Sequence, residues 1–252
     1  MFGATTADFV KERNHAVSLA FRKPQELRFR RYNDPKSRLC NNGMDTVPHL
    51  EKVSHDITPN ELNGIPKENF ASCLSTLGAH RGWSEAQKNT LLIRVNADIN
   101  EICKLSPQEV MSSQHILTAV TKSHLRCIDL NDLDILTTLG NPSMNWTSEK
   151  LVHLADRYKV LNPYFKLSNS STEAIVSLGL VLCGFMEYEI ESIDPAVYRK
   201  VSVIVGTYTA CPVQKVKALL DLATRTAAYG PVAKWTCSTI SDVGILMAMV
   251  ID

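Results

Sequence analysis

The sequence has no apolar run of the ~18 residues that a membrane-spanning helix needs, so no segment reads as a span. It also lacks an excess of either charge, with 27 Lys and Arg against 26 Asp and Glu. That balance excludes a broad nucleic-acid or membrane-surface footprint. No C-x-x-C pair occurs among the seven cysteines, which excludes a zinc ribbon or a thioredoxin-type motif. None of the seven histidines falls in an H-x-x-x-H or H-E-x-x-H pair, and satisfied or exposed histidine is the expectation rather than a metal ligand. Glycine-rich phosphate loops and the G-x-S-x-G elbow are absent. The first residues, MFGATTADFVKERNHAVSLAFRK, have no basic start followed by an apolar core, and do not read as a secretory leader. What remains is a chain long enough for one large or two small domains, with no catalytic, cofactor or metal signature. The expectation is a non-enzymatic binding module.

What is present is helical spacing. Between Ser177 and Trp235 apolar residues recur in three stripes. These are Leu178, Leu182 and Phe185, then Val197, Val201, Ile204 and Val205, then Val216, Leu219, Leu220 and Ala223. Each is the i, i+3, i+4 pattern of an amphipathic helix. Asp194-Pro195, Cys211-Pro212 and Gly230-Pro231 break the runs. No stretch from 57 onward alternates with period two, so the fold class is all-α.

Helix starts repeat. Thr58, Pro59 and Glu61 have the roles of N-cap, first helical residue and capping-box acid, and Ser106, Pro107 and Glu109 repeat them. Sliding the chain by 128 places residues 58–92 on 186–220 without a gap. Glu61 meets Glu189, Ile65 meets Ile193, Gly78 meets Gly206, and Leu91-Leu92 meet Leu219-Leu220. Trp83-Ser84, Trp146-Thr147 and Trp235-Thr236 give a second echo, following Gly78, Gly140 and Gly230. The expected unit is a helix stopped by a left-handed glycine, a loop, then a Ser/Thr cap with Trp as a hydrophobic staple. Helix pairs stacked in one dimension, a right-handed, armadillo-like α-solenoid, satisfy this pattern. A single helical bundle is the alternative.

Residues 1–56 are the least periodic part. Five Lys or Arg fall between residues 22 and 31, among Phe21, Phe29 and Tyr32. They fit either an anionic-partner patch or an exposed, solvated segment. The helical-repeat domain is expected over 57–252, in blocks 57–167 and 173–252 around the polar run Ser168 to Thr172. The last residues, Gly244 to Asp252, stop without a cap, and the chain is expected to be a piece of a longer one.

Asp129, Asp132 and Asp134 crowd one helix start but lack the glycine and terminal glutamate of a calcium loop, so capping explains them. Two glycosylation sequons occur, at Asn145-Trp-Thr147 and Asn169-Ser-Ser171. Cys183 and Cys211 would close a loop of about 28 residues worth roughly 3 kcal/mol if bridged. Two buried free thiols fit the same positions.

The C-terminal third carries a resemblance. Its residues are Leu178-Gly179, Val181-Leu-Cys-Gly-Phe185, Ile190, Ile193, Tyr198, Gly206, Cys211, Tyr229-Gly-Pro231, Trp235-Thr236 and Ile240-Ser-Asp-Val-Gly-Ile-Leu246. In order and spacing this segment, 177–252, resembles the mesothelin, stereocilin and otoancorin family. The resemblance implies an extracellular or lipid-anchored surface glycoprotein made of armadillo-like helical repeats. It implies adhesion or matrix attachment rather than catalysis, with a mucin-like or matrix glycoprotein as partner. It further implies a Cys183–Cys211 disulfide and glycans on Asn145 and Asn169. It leaves the pairing of Cys40, Cys73, Cys103, Cys127 and Cys237 open. The competing reading is an intracellular helical-repeat adaptor that holds peptides or proteins.

Overall fold

The computed structural model describes residue 40 and residues 54–95 and 103–248. The chain divides into two compact units, Met1–Asp45 and Thr46–Asp252. The first is described only at Cys40, a half-buried turn residue. The basic segment 22–31, the turn at 41–43 and the last residues, 249–252, lie outside the described residues.

The described part of the second unit is all helical, without a strand. Twelve α-helices follow one another, joined by short 3-10 segments. The first four are α1 (Pro59–Asn63), α2 (Lys67–Ala79), α3 (Glu85–Val95) and α4 (Pro107–Ser113), the last running into η2 (Gln114–Ala119). A 3-10 turn, η1 (Ser54–Asp56), precedes them. Next come α5 (Lys122–Leu125), α6 (Leu133–Leu139), α7 (Ser148–Leu161), η3 (Leu167–Asn169) and α8 (Thr172–Leu178), which runs into η4 (Gly179–Gly184). The last are α9 (Glu187–Glu191), α10 (Pro195–Val205), α11 (Val213–Thr224), η5 (Val232–Lys234) and α12 (Cys237–Val243), which runs into η6 (Gly244–Leu246).

These elements are three copies of one plan. Helices α1, α2 and α3 begin at residues 59, 67 and 85, and α9, α10 and α11 begin 128 residues later at 187, 195 and 213. The copy between them halves that interval. Helices α4, α8 and α12 are each seven residues long and begin at 107, 172 and 237, a spacing of 65. Each copy therefore holds a short helix, two longer ones, a seven-residue helix and a 3-10 turn.

Contacts follow the plan. The even helices form one row in which α2 packs on α4, α4 on α6, α6 on α8, α8 on α10 and α10 on α12. Within the copies α1 packs on α3 and α3 on η2, α5 on α7 and α7 on η4, and α9 on α11. The core lies between these sets, and Leu62, Leu77, Leu91, Ile116, Leu117, Leu125, Leu139 and Phe185 are fully buried in it. Short helices are marginal alone and depend on such packing.

The start signals act as the sequence predicts. Thr58 and Ser106 form capping boxes with Glu61 and Glu109, each helix having proline in its first turn. Ser84 and Gln87 cap each other's amides at the start of α3, while Thr147 and Thr236 cap α7 and α12. Asp132 caps α6 by accepting from the Asp134 and Ile135 amides.

Two expectations are corrected. Of the three glycines expected to be left-handed, Gly230 is (φ +74°), but Gly140 is in right-handed helical conformation, as is Gly206, and Gly78 lies inside α2. In Gly78, Gly140 and Gly206 the lack of a side chain serves close approach instead. A Cβ on Gly78 would fall 2.8 Å from the Ser113 carbonyl carbon, and one on Gly206 2.7 Å from the Val243 carbonyl oxygen. The helices of the even row thus meet in pairs at their C-terminal ends. The second correction concerns Leu178, Leu182 and Phe185, which do not lie on one helix. The chain turns at Gly179 (φ +51°) and continues as 3-10 helix. Gly244 (φ +65°) holds the equivalent turn in the third copy, and Gln114 (φ +27°) holds it in the first.

Candidate functional site

The turn between the two longer helices is anchored in each copy. Trp83 donates its indole N–H to the Leu77 carbonyl at 2.8 Å, and Trp146 donates to Leu139 at the same distance. Both rings are buried, and both acceptors are the residue before a close-approach glycine. Buried carbonyls need such partners. Residue 211 is the third-copy equivalent, 65 after Trp146 and 128 after Trp83, and it is cysteine. Cys211 is bonded to Cys183 in η4, with Cα atoms 5.3 Å apart. Trp235 occupies a different place: it precedes α12, and its indole donates to the Gly230 carbonyl.

Cys103, just before α4, is bonded to Cys127, just after α5. Each of these two disulfides joins consecutive copies of the plan, the first with the second and the second with the third. No spacing in the sequence singles out the Cys103–Cys127 pair. Cys40 and Cys73 are also disulfide-bonded, and Cys237 is a free, exposed thiol. Six paired cysteines of seven belong to an oxidising, extracellular location.

Polar contacts support the first boundary. Lys150 of α7 donates its ammonium to the Thr118 carbonyl of η2. Burial lowers its pKa, and Lys88 pushes the same way, while Glu85 raises it. His115 of η2 lies 3.4 Å from the Ser143 hydroxyl of the second copy. Burial, followed by the positive charges of Arg81, Lys88 and His80, lowers the His115 pKa to about 4. In the third copy the Tyr229 hydroxyl meets Ser202 of α10 at 2.7 Å and donates to Asp242 of α12 at 3.1 Å. Arg199 lies over its ring.

Asn145 and Asn169 are both exposed. Each sequon ends on the cap of the following helix: Thr147 accepts from the Lys150 amide, and Ser171 from the Ala174 amide. Asn145 sits beside the C-terminal end of α6, through the Trp146 bond to Leu139. Asn169 precedes the start of α8. Helices α6 and α8 end together, with Gly140 against Leu178, so Asn145 follows the end of one member of this pair and Asn169 precedes the start of the other. The polar run containing Asn169 forms the turn from α7 into α8.

Among the described residues, no group of three or more His, Cys, Asp and Glu could hold a metal ion, and no helix is long and apolar enough to cross a membrane.

Sequence comparison gives the chain relatives. It is 24% identical to otoancorin of Mus musculus over 208 residues, 81% of this chain and 18% of that protein. It is 18% identical to stereocilin of Mus musculus over 193 residues, 76% of this chain and 11% of that protein. Stereocilin of Homo sapiens is 20% identical over 147 residues, 58% of this chain and 8% of that protein. The chain thus spans less than a fifth of the length of these curated relatives. No family model and no solved structure matches it. The resemblance carried by 177–252 extends over most of the chain, which is stereocilin- and otoancorin-like.

Proposed function

We propose that the chain is a non-enzymatic attachment module of an extracellular, surface-associated glycoprotein, a right-handed armadillo-like stack that engages a matrix or mucin-like glycoprotein. The observation that carries this reading is the placing of a disulfide across each boundary between copies. Stacked repeats depend on nearest-neighbour interfaces. Cross-linking those interfaces suits a scaffold that must keep its shape outside the cell. The likeness to otoancorin and stereocilin supports the same reading; its mesothelin-like part rests on the resemblance over 177–252, and any lipid anchor belongs to the longer protein outside this segment. An intracellular adaptor is disfavoured because a reducing compartment would open the bridges.

In this reading Asn145 and Asn169 carry glycans after the end of α6 and before the start of α8, which leaves the outer face of the even row open. Four consecutive helices of that row expose aliphatic side chains: Leu133, Val176, Val203 with Ile204, and Ile240. Such a face is where a partner docks. The test is binding of the purified, oxidised chain to surfaces coated with mucin or with matrix glycoprotein. Saturable binding, lost in Val203→Asp and Ile240→Asp variants that keep wild-type helicity, is expected. Binding that is absent on every surface, or equal in the variants, rejects the reading.

A further inference from the structure

Six of the seven tyrosines are among the described residues, and their surroundings separate those six sharply. Tyr198 and Tyr208 are fully buried, and burial pushes both phenols up. Tyr158 is partly covered and packs on Phe165. The Tyr229 hydroxyl is engaged by Ser202 and Asp242. Two phenols stand out in solvent: Tyr164 is 95% exposed and Tyr188 is 71% exposed.

These two have opposite neighbours. Tyr164 lies in Asn162-Pro-Tyr-Phe-Lys166, with no acid beside it. Tyr188 lies in Glu187-Tyr-Glu-Ile-Glu191, with carboxylates one residue before, one after and three after, and Asp194 follows. Lys215 reaches Glu187 at 3.0 Å, and Lys159 reaches Glu189 at 3.4 Å. Both lysines come from neighbouring helices and hold the inner side of the turn, while the phenol faces water.

We propose that Tyr188 is a tyrosine-sulfation site. The donor in this reaction is a nucleoside phosphosulfate, a polyanion, so the enzyme that binds it has a basic cleft. Such a cleft steers acidic flanks towards itself and repels basic ones. The phenolic oxygen of Tyr188 attacks the sulfur of the donor. The new O–S bond forms as the bond from sulfur to the donor's phosphate oxygen breaks. The phenolic proton passes to a base of the enzyme, and the nucleotide leaves with its phosphates. Nothing is oxidised or reduced. The acceptor turn is α9, five residues long, held at its start by the Glu189 carboxylate accepting from the Met186 amide. A helix this short opens locally at small cost. The product adds a fixed negative charge to an outward-facing position.

The proposal draws on the extracellular location alone, and its test is independent of it. The purified 252-residue chain is incubated with a tyrosylprotein sulfotransferase and the phosphosulfate donor, then mapped by tryptic mass spectrometry. The expected result is the mass of one added sulfuryl group on the peptide holding Tyr188, localised by fragment ions away from Tyr198. The Tyr164 peptide stays unlabelled, Tyr188→Phe abolishes the label, and Glu187→Gln lowers it severalfold. An unlabelled Tyr188, equal labelling of Tyr164, or undiminished labelling of Glu187→Gln overturns the proposal. Failure here leaves the thiol content of the secreted chain, which tests the location, untouched.

Discussion

Gly140 and Gly179 meet backbone to backbone. The Gly140 carbonyl accepts from the Leu180 amide at 2.6 Å, and a Cβ on Gly179 would lie 2.7 Å from the Gly140 carbonyl carbon. Two helices of the even row are thereby locked at their ends without any side chain between them.

Gly140→Ala should therefore destabilise the chain by about 3 kcal/mol, since the added methyl meets the Leu178 carbonyl and neither backbone can retreat. Gly230→Ala is the control. Gly230 has φ +74° but nothing within 4 Å of its would-be Cβ, so only the conformational cost of about 1 kcal/mol applies. Urea denaturation of both variants checks the difference. Equal losses would show that the close approach does not matter.

Gln114 stands where the second and third copies use glycine, at φ +27° and ψ −109°. Gln114→Gly should stabilise by about 0.5–1 kcal/mol, the relief of strain exceeding the added freedom of the unfolded chain. A midpoint shifted to higher urea is the expected readout.

Trp146→Phe keeps most of the buried ring but leaves the Leu139 carbonyl without its indole donor. The expected loss is about 1–2 kcal/mol. Trp146→Ala adds a cavity and should cost about 3–5 kcal/mol.

Titration of the oxidised, denatured chain without reductant should find one reactive thiol, Cys237. Replacing Cys183 and Cys211 by serine opens a loop with a sequence separation of 28 residues. The cost by loop-closure entropy is roughly 3 kcal/mol. Seven reactive thiols in protein produced in an oxidising compartment would count against the extracellular reading.

His115 supplies a pH dependence with a definite sign. Its folded pKa, about 4, lies below the ordinary 6.5. The unfolded chain therefore takes up the proton first. Stability should be complete above pH 6.5 and should fall as pH drops towards 4. His115→Asn should flatten that limb in melts across this range, while carboxylate titration remains in both proteins. An unchanged limb would mean that the ring is protonated in place without penalty.

Caps were the most legible feature in the sequence. Thr58-Pro-Asn-Glu61 and Ser106-Pro-Gln-Glu109 write their hydrogen bonds locally, so three or four residues suffice to read them. The 128-residue repeat was legible too, because Gly78 and Gly206 sit at equivalent backbone contacts. Its true period of about 65 was hidden. The middle copy keeps the backbone path but opens with a four-residue helix and shares few side chains with its neighbours. The reason for the glycines was equally hidden, since an end-to-end contact and a left-handed turn ask for the same residue. Of the candidate site residues, Asn145 and Asn169 could be placed in loops from sequence, but the packing of the helices that they flank, α6 and α8, could not, because it depends on how those helices end together. The two pairs that join consecutive copies have separations of 24 and 28 residues, and neither separation distinguishes a bond from two buried thiols.

The boundary disulfides also decide how the molecule responds to being pulled. A load applied at the two ends can straighten only the chain outside the bridges. The segments 103–127 and 183–211 are shielded from extension, which withholds roughly 80 and 100 Å of contour at about 3.5 Å per residue. Under tension the chain between the bridges can extend, while the crossing from each copy to the next stays cross-linked.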